Sequence, residues 1–176
     1  IRKAGHFGEY FLLSLLVLGY LFSIGLGFMG VKRTEKALTT ISSALWPADR
    51  AQQSAHSAFN EQIASYEDAF TSGEAQSLAT ASDRATKVAA DLQSMLALTG
   101  LDQGIRAATE SLLQDFTAYT KEASAVYTEM AGGKTTEDLT QRAMSLGKRK
   151  ESLSKAFGDL SQLMDARMRG DMRNMT

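Results

Sequence analysis

Apolar residues recur along most of this chain at steps of three and four. Over 74–98 the positions Leu78, Ala81, Ala85, Val88, Leu92 and Met95 step by 3, 4, 3, 4, 3. Over 135–175, Leu139, Ala143, Leu146, Lys150, Leu153, Phe157, Leu160 and Met164 alternate 4 and 3, with Lys150 the one polar member. Ile105, Ala108, Leu112, Phe116, Tyr119, Ala123, Val126 and Met130 follow nearly the same rule, and Phe59, Ile63, Tyr66 and Phe70 step by 4, 3, 4. Strands would alternate by two, so these are seams of packed helices. Three breaks separate them: Thr71-Ser72-Gly73, Thr99-Gly100-Leu101-Asp102 and Gly132-Gly133-Lys134. Glycine just past a helical stretch is a common C-terminal stop. Thr135 or Thr136 can cap the last helix, with Glu137 and Asp138 favouring its positive end.

The pattern differs at the start. From Tyr10 to Val31 no residue is charged. At 1.5 Å per residue the run spans about 33 Å of helix, enough to cross a bilayer core about 30 Å thick. Phe7, Tyr10, Phe11 and Phe28 place aromatic rings near its ends, where the interface favours them. A cleaved signal peptide would have a shorter apolar region followed by small residues. Lys32 and Arg33 follow here instead, so a retained anchor is expected. Basic residues flank the run on both sides (Arg2 and Lys3; Lys32, Arg33 and Lys36), and charge alone leaves the orientation undecided. The chain begins with Ile, which reads as a piece of something longer.

Helix lengths predict the architecture. The outer segments, 31–72 and 135–176, are longer than the inner ones, 74–98 and 102–131. Short loops force neighbours antiparallel. The expected fold is all-α: an N-terminal transmembrane helix continuing into an antiparallel up-down-up-down four-helix bundle. Its helices are expected at about 32–72, 74–98, 102–131 and 135–175. The outer two extend past the inner pair at the membrane end, and this geometry asks for a second transmembrane helix after Thr176. Pro47 lacks the N–H of an interior helical residue and should kink the first helix. Trp46 is expected as an apolar plug at the bottom of the core.

Composition removes several functions. The chain has 176 residues, 19 Lys+Arg and 20 Asp+Glu. That balance argues against nucleic acid as a partner. There is no Cys, which excludes disulfides and thiolate chemistry. One Pro in the whole chain is far below the usual ~5% and fits a helical protein. There is no nucleophile-elbow, phosphate-loop or zinc-protease motif, so no enzyme is expected and no catalytic residue is named. His6 and His56 are too few for a histidine metal centre, and no Glu precedes His56 by three, as a di-iron bundle would require. Met164, Met168, Met172 and Met175 continue the Leu/Phe seam and read as packing, not as a copper site. No metal or cofactor is implied.

The candidate ligand site is a polar stripe on the first helix. Gln53, His56 and Asn60 lie together, with Arg50 about a turn below. Counting back from the distal turn puts His56 level with Glu151, close to Lys148-Arg149-Lys150. Facing a dimer seam, this basic cluster, with Arg149 foremost, would hold a small carboxylate by charge-assisted bonds. Lys150, on the seam, can instead carry its charge past the core to water on its long stem.

Leu45-Trp46-Pro47-Ala48, then Phe59, Tyr66-Glu67-Asp68-Ala69 and the Gly73 turn, placed after a transmembrane segment, resemble a known family. It is the extracytoplasmic four-helix-bundle sensor region of bacterial chemoreceptors (methyl-accepting chemotaxis proteins) and of related transmembrane histidine kinases. The resemblance implies that 1–9 are a cytoplasmic flank, 10–31 a single inner-membrane crossing and 32–176 a periplasmic sensor domain. It implies a homodimer through the bundle, contact with membrane lipid, and a small anionic ligand or a periplasmic binding protein as the stimulus. It also implies a second membrane helix, a HAMP linker and an output domain. A histidine kinase would use the same input module. A membrane-anchored helical scaffold for another protein is the alternative from outside that class.

Overall fold

A computed structural model of the chain describes residues 41–173. Among the described residues the structure is entirely helical apart from short connections. A π-helical turn, Ile41–Leu45, leads into α1, Trp46–Ser72; then follow α2, Ala75–Ala97, α3, Gln103–Ala131, and α4, Glu137–Arg173. The three connections fall on the three breaks expected from sequence, and the helix ends agree within two residues wherever they are described. The apolar 10–31 run and the first part of the helix expected over 32–72 lie outside the described residues. Among the described residues no helix is long and apolar enough to cross a membrane.

Each boundary has a local cause. α1 stops at Gly73, whose φ of 71° lies in the left-handed region and whose N–H donates to Ala69 O at 2.9 Å; a side chain is disfavoured in that conformation. α3 starts at Asp102, whose Oδ1 accepts from Gly104 N at 2.8 Å, satisfying one of the unpaired first-turn amides. α4 starts after Thr136, whose Oγ1 accepts from Leu139 N at 3.1 Å, so of the two expected caps Thr136 serves. The end of α2 is closed from outside: Arg106 donates Nη1 to Leu96 O and Nη2 to Leu98 O, at 2.6 and 3.0 Å.

At Pro47 the expected disturbance takes a specific form. Proline cannot donate to the carbonyl four residues back, and its ring crowds that carbonyl. A π-helical turn directly precedes it, spending one more residue per bond than the α form. The α-helix proper then begins with Pro47 in its first two positions, where a missing N–H costs nothing. Trp46 does not plug the core. It is 58% exposed, while Ala44, Leu45 and Ala48 are buried at that level. The plug expectation fails because the seam phase runs through Leu45 and leaves Trp46 pointing out.

The helices pack around one core. α1 and α2 make the most extensive pairing. Alanines supply much of it (Ala55 and Ala58 on α1; Ala81, Ala85 and Ala89 on α2), and small side chains let helix axes approach. The aromatic centre is Phe59. It meets Phe116 and Tyr119 of α3 edge-on, at centroid distances of 6.0 and 5.8 Å, and Phe157 of α4 at 5.4 Å, geometries that suit the ring quadrupole. Nearer the α1–α2 turn, Tyr66 stacks on Tyr127 of α3 at 4.7 Å. Two seam assignments shift. Gln62 and Ala69 are fully buried, where Ile63 and Phe70 were expected; Ile63 is only half-buried and Phe70 is 54% exposed. On α3, Thr109 is buried and Ala108 half-buried. Its hydroxyl is satisfied by Ile105 O at 2.8 Å.

Ion pairs join neighbouring helices. Arg84 of α2 reaches Glu61 of α1 at 2.9 Å, and Lys150 of α4 reaches Glu67 of α1 at 3.4 Å. Arg142 of α4 holds Glu122 and Glu129 of α3 at 2.7 and 3.3 Å. α4 is the longest described helix. It passes the α2–α3 connection where Arg167 reaches Asp102, at 3.9 Å, and continues to Arg173. The π-helical turn packs beside it at that end.

Candidate functional site

Two neighbours in this arrangement, α1 and α4, are joined at mid-height. Gln52 of α1 is buried and donates Nε2 to the carbonyl oxygen of Phe157 at 2.9 Å. One turn on, His56 lies flat on the Phe157 ring, at a centroid distance of 5.0 Å and an interplanar angle of 6°. These contacts hold the helices side by side, and the α4 residues beyond them are small: Gly158 and Ser161. A Cβ placed on Gly158 would meet nothing within 4 Å. The result is an open groove of about 550 Å³, floored by His56 and Phe157 and rimmed by Gln53, Ser57, Asn60 and Gln162.

Three of the five site residues expected from sequence, Gln53, His56 and Asn60, line this groove. Arg149 does not. It lies in a separate cleft between α3 and α4, with Asp115 and Ser152. Arg50 is exposed on α1 and Lys148 on α4, and Lys150 is engaged by Glu67. Lys150 thus takes the alternative reading, with its stem half-buried and its charge at the surface. Within one chain the polar stripe and the basic cluster therefore line different clefts.

The reason is register. His56 meets Phe157, six residues past the expected Glu151. Side chains on a helix lean toward its own N-terminus. On antiparallel helices two touching side chains therefore come from Cα atoms that have already passed each other. That lean amounts to about one position on each helix and covers part of the six; the rest is the axial placement of the two helices, and Arg149 in addition sits on the α3 side of α4. The sequence reading also missed Gln52, Gly158, Ser161 and Gln162. Gln52 carried a usable signal: it falls on the α1 seam at 52, 55, 59, where a polar residue must find a buried partner.

A second polar stratum lies deeper. Gln62 is fully buried and donates Nε2 to Thr120 Oγ1 at 3.3 Å and to Tyr66 Oη at 3.5 Å; its Oε1 has no partner among the described residues. Burial pushes the phenols of Tyr66, Tyr119 and Tyr127 above their usual value near 10. Their mutual proximity and Glu67 add to the rise at Tyr119 and Tyr127. These groups do no acid–base work at neutral pH. They form a neutral polar layer between α1 and α3. Among the described residues no group of His, Asp and Glu is arranged to hold a metal ion.

No protein-family model, curated protein or solved structure matches the chain.

Proposed function

We propose that this chain is the ligand-sensing and transmembrane signal-transduction input module of a bacterial chemoreceptor, with the input module of a sensor histidine kinase as the same reading under another output. In this account 10–31 cross the inner membrane once. The helices from 32 onward form an antiparallel bundle in the periplasm, and two copies pair through it.

The observation that carries the reading is the attachment of α4 to α1. α4 is continuous from Glu137 to Arg173 and passes the α2–α3 connection on the side where the π-helical turn Ile41–Leu45 packs. A continuous helix transmits axial displacement because its backbone hydrogen bonds resist compression. What sets its axial position against α1 is a set of contacts at mid-height, Gln52 to the Phe157 carbonyl and His56 and Phe59 on the Phe157 ring, with Glu67 to Lys150 nearer the distal turn. A ligand that favours one register over another shifts the output, and only by its difference in affinity for the two.

The test is a chimera. Residues 1–176 are joined to the second membrane helix and output domain of a characterised chemoreceptor, and kinase control is measured in cells. The reading expects membrane insertion and a basal output that changes when Gln52→Leu removes the clamp. An inserted chimera whose output ignores Gln52→Leu, His56→Ala and Lys150→Ala alike would reject it.

A further inference from the structure

We propose that the α1–α4 groove binds a neutral, hydroxyl-rich small molecule of sugar size. The inference gives a ligand class to the sensing reading and rests on that reading for its purpose, but its binding test is independent of signalling.

The lining carries the argument. None of the nine residues that line the groove is Asp, Glu, Lys or Arg, in a chain where 22% of residues are charged. The cations expected to recognise a carboxylate stand elsewhere, at Arg149 and Lys150. An anion entering here would meet no Lys or Arg and would lie near the carboxylates of Asp49 and Glu61, to which Gln53 and Ser57 donate. A neutral molecule with many hydroxyls meets the opposite situation. Amides and hydroxyls offer donors and acceptors in close alternation, and the rim supplies them from both helices.

Several of these groups are unengaged. Gln52 is 2% exposed and lines the groove; its Nε2 is fixed by the Phe157 carbonyl, and its Oε1 has no protein partner among the described residues. That open oxygen can accept from a ligand hydroxyl. Asn60, Ser161 and Gln162 make no side-chain hydrogen bond among the described residues, and Gln53 uses only Nε2, toward Asp49 at 2.8 Å. The floor suits the other face of a sugar. His56 is half-exposed above Phe157, and aromatic faces attract the weakly positive C–H edges that a pyranose or furanose presents. Gly158 leaves the room.

The test uses the full 176-residue chain in a zwitterionic detergent without a sugar headgroup. Thermal unfolding is followed with glucose, ribose, N-acetylglucosamine or maltose at about 20 mM, enough to populate a site with a Kd near 1 mM. Glucuronate is the charged control. At least one neutral sugar should raise Tm by about 2–5 °C, and glucuronate should do less. Monosaccharides acting alone assign the groove to free sugars; maltose acting better assigns it to an oligosaccharide end. Gly158→Leu, whose side chain grows into the groove, should abolish the shift while leaving the sugar-free Tm unchanged or higher. His56→Ala should weaken the shift several-fold and serves if the leucine variant does not fold. No shift with any sugar, an equal shift with glucuronate, or a shift that survives both variants overturns the proposal. A second copy closing the groove would give the first of these. In none of these cases does the chimera result change, so the two readings fail separately.

Discussion

Gln52 and Phe157 stand 105 positions apart in the chain and share one buried hydrogen bond, from the Gln52 amide to the Phe157 backbone carbonyl at 2.9 Å. Because the acceptor is backbone, α4 cannot slide along α1 without losing this bond, whatever side chain occupies 157. Gln52→Leu should therefore lower unfolding stability by about 1–2 kcal/mol, the usual cost of a lost buried bond. Gln52→Glu should cost more, since a carboxylate cannot donate to a carbonyl and would be buried without a partner. Denaturant unfolding of the three proteins decides it; a Glu variant as stable as wild type contradicts the clamp.

Phe157 should be far more sensitive than His56. It is fully buried and meets both His56 and Phe59. Phe157→Ala should cost about 3–5 kcal/mol. His56→Ala loses one stacked pair on a half-exposed ring and should cost about 0.5–1.5 kcal/mol. Equal losses would show that the stack, not the core position of Phe157, dominates.

The buried amide of Gln62 behaves in the opposite sense to that of Gln52. Its Oε1 is desolvated without a partner, and its two bonds, at 3.3 and 3.5 Å, are long. Gln62→Leu should leave stability unchanged or raise it by up to about 1 kcal/mol. A loss above about 2 kcal/mol would mean that the Gln62–Thr120–Tyr66 contacts stabilise the α1–α3 pairing.

Alkaline pH should destabilise the bundle through its tyrosines. The phenols of Tyr66, Tyr119 and Tyr127 are raised by burial, so the unfolded chain loses these protons at lower pH than the folded one. Below about pH 10 their contribution is fully present. Above it, stability falls with rising pH, by up to about 1.4 kcal/mol per unit for each phenol that ionises only on unfolding. Absorbance at the tyrosinate band should show these three titrating with the unfolding transition. Ordinary ionisation of all tyrosines in the folded protein would contradict their burial.

How much of this was legible in the sequence depends on what each residue type reveals. The seams at 81, 85, 88, 92, 95 and at 139, 146, 153, 157, 160, 164 were readable, because there the buried positions are apolar. The α1 seam was not: its step runs 59, 62, 66, 69, and reading only apolar residues substituted Ile63 and Phe70 for Gln62 and Ala69. The turns at Gly73 and Gly133 and the cap at Thr136 were legible from local chemistry. The groove was half legible. Gln53, His56 and Asn60 share a helix face that periodicity gives directly. Their partners on α4 depend on how two helices slide past each other, which side-chain lean and packing decide and no local pattern records. Trp46 shows the same limit, since its exposure follows from the phase of a seam set by Leu45 and Ala48.

The central claim is that the register of α4 against α1 is the signal. It is tested most directly by fixing that register. In the chimera, Gln53→Cys and Gln162→Cys, on opposite rims of the groove, are joined by a short bismaleimide. The account predicts that cross-linking freezes output in one state, that stimulus no longer changes it, and that either single cysteine responds normally. A cross-linked chimera that still switches as fully as the uncross-linked one would contradict it.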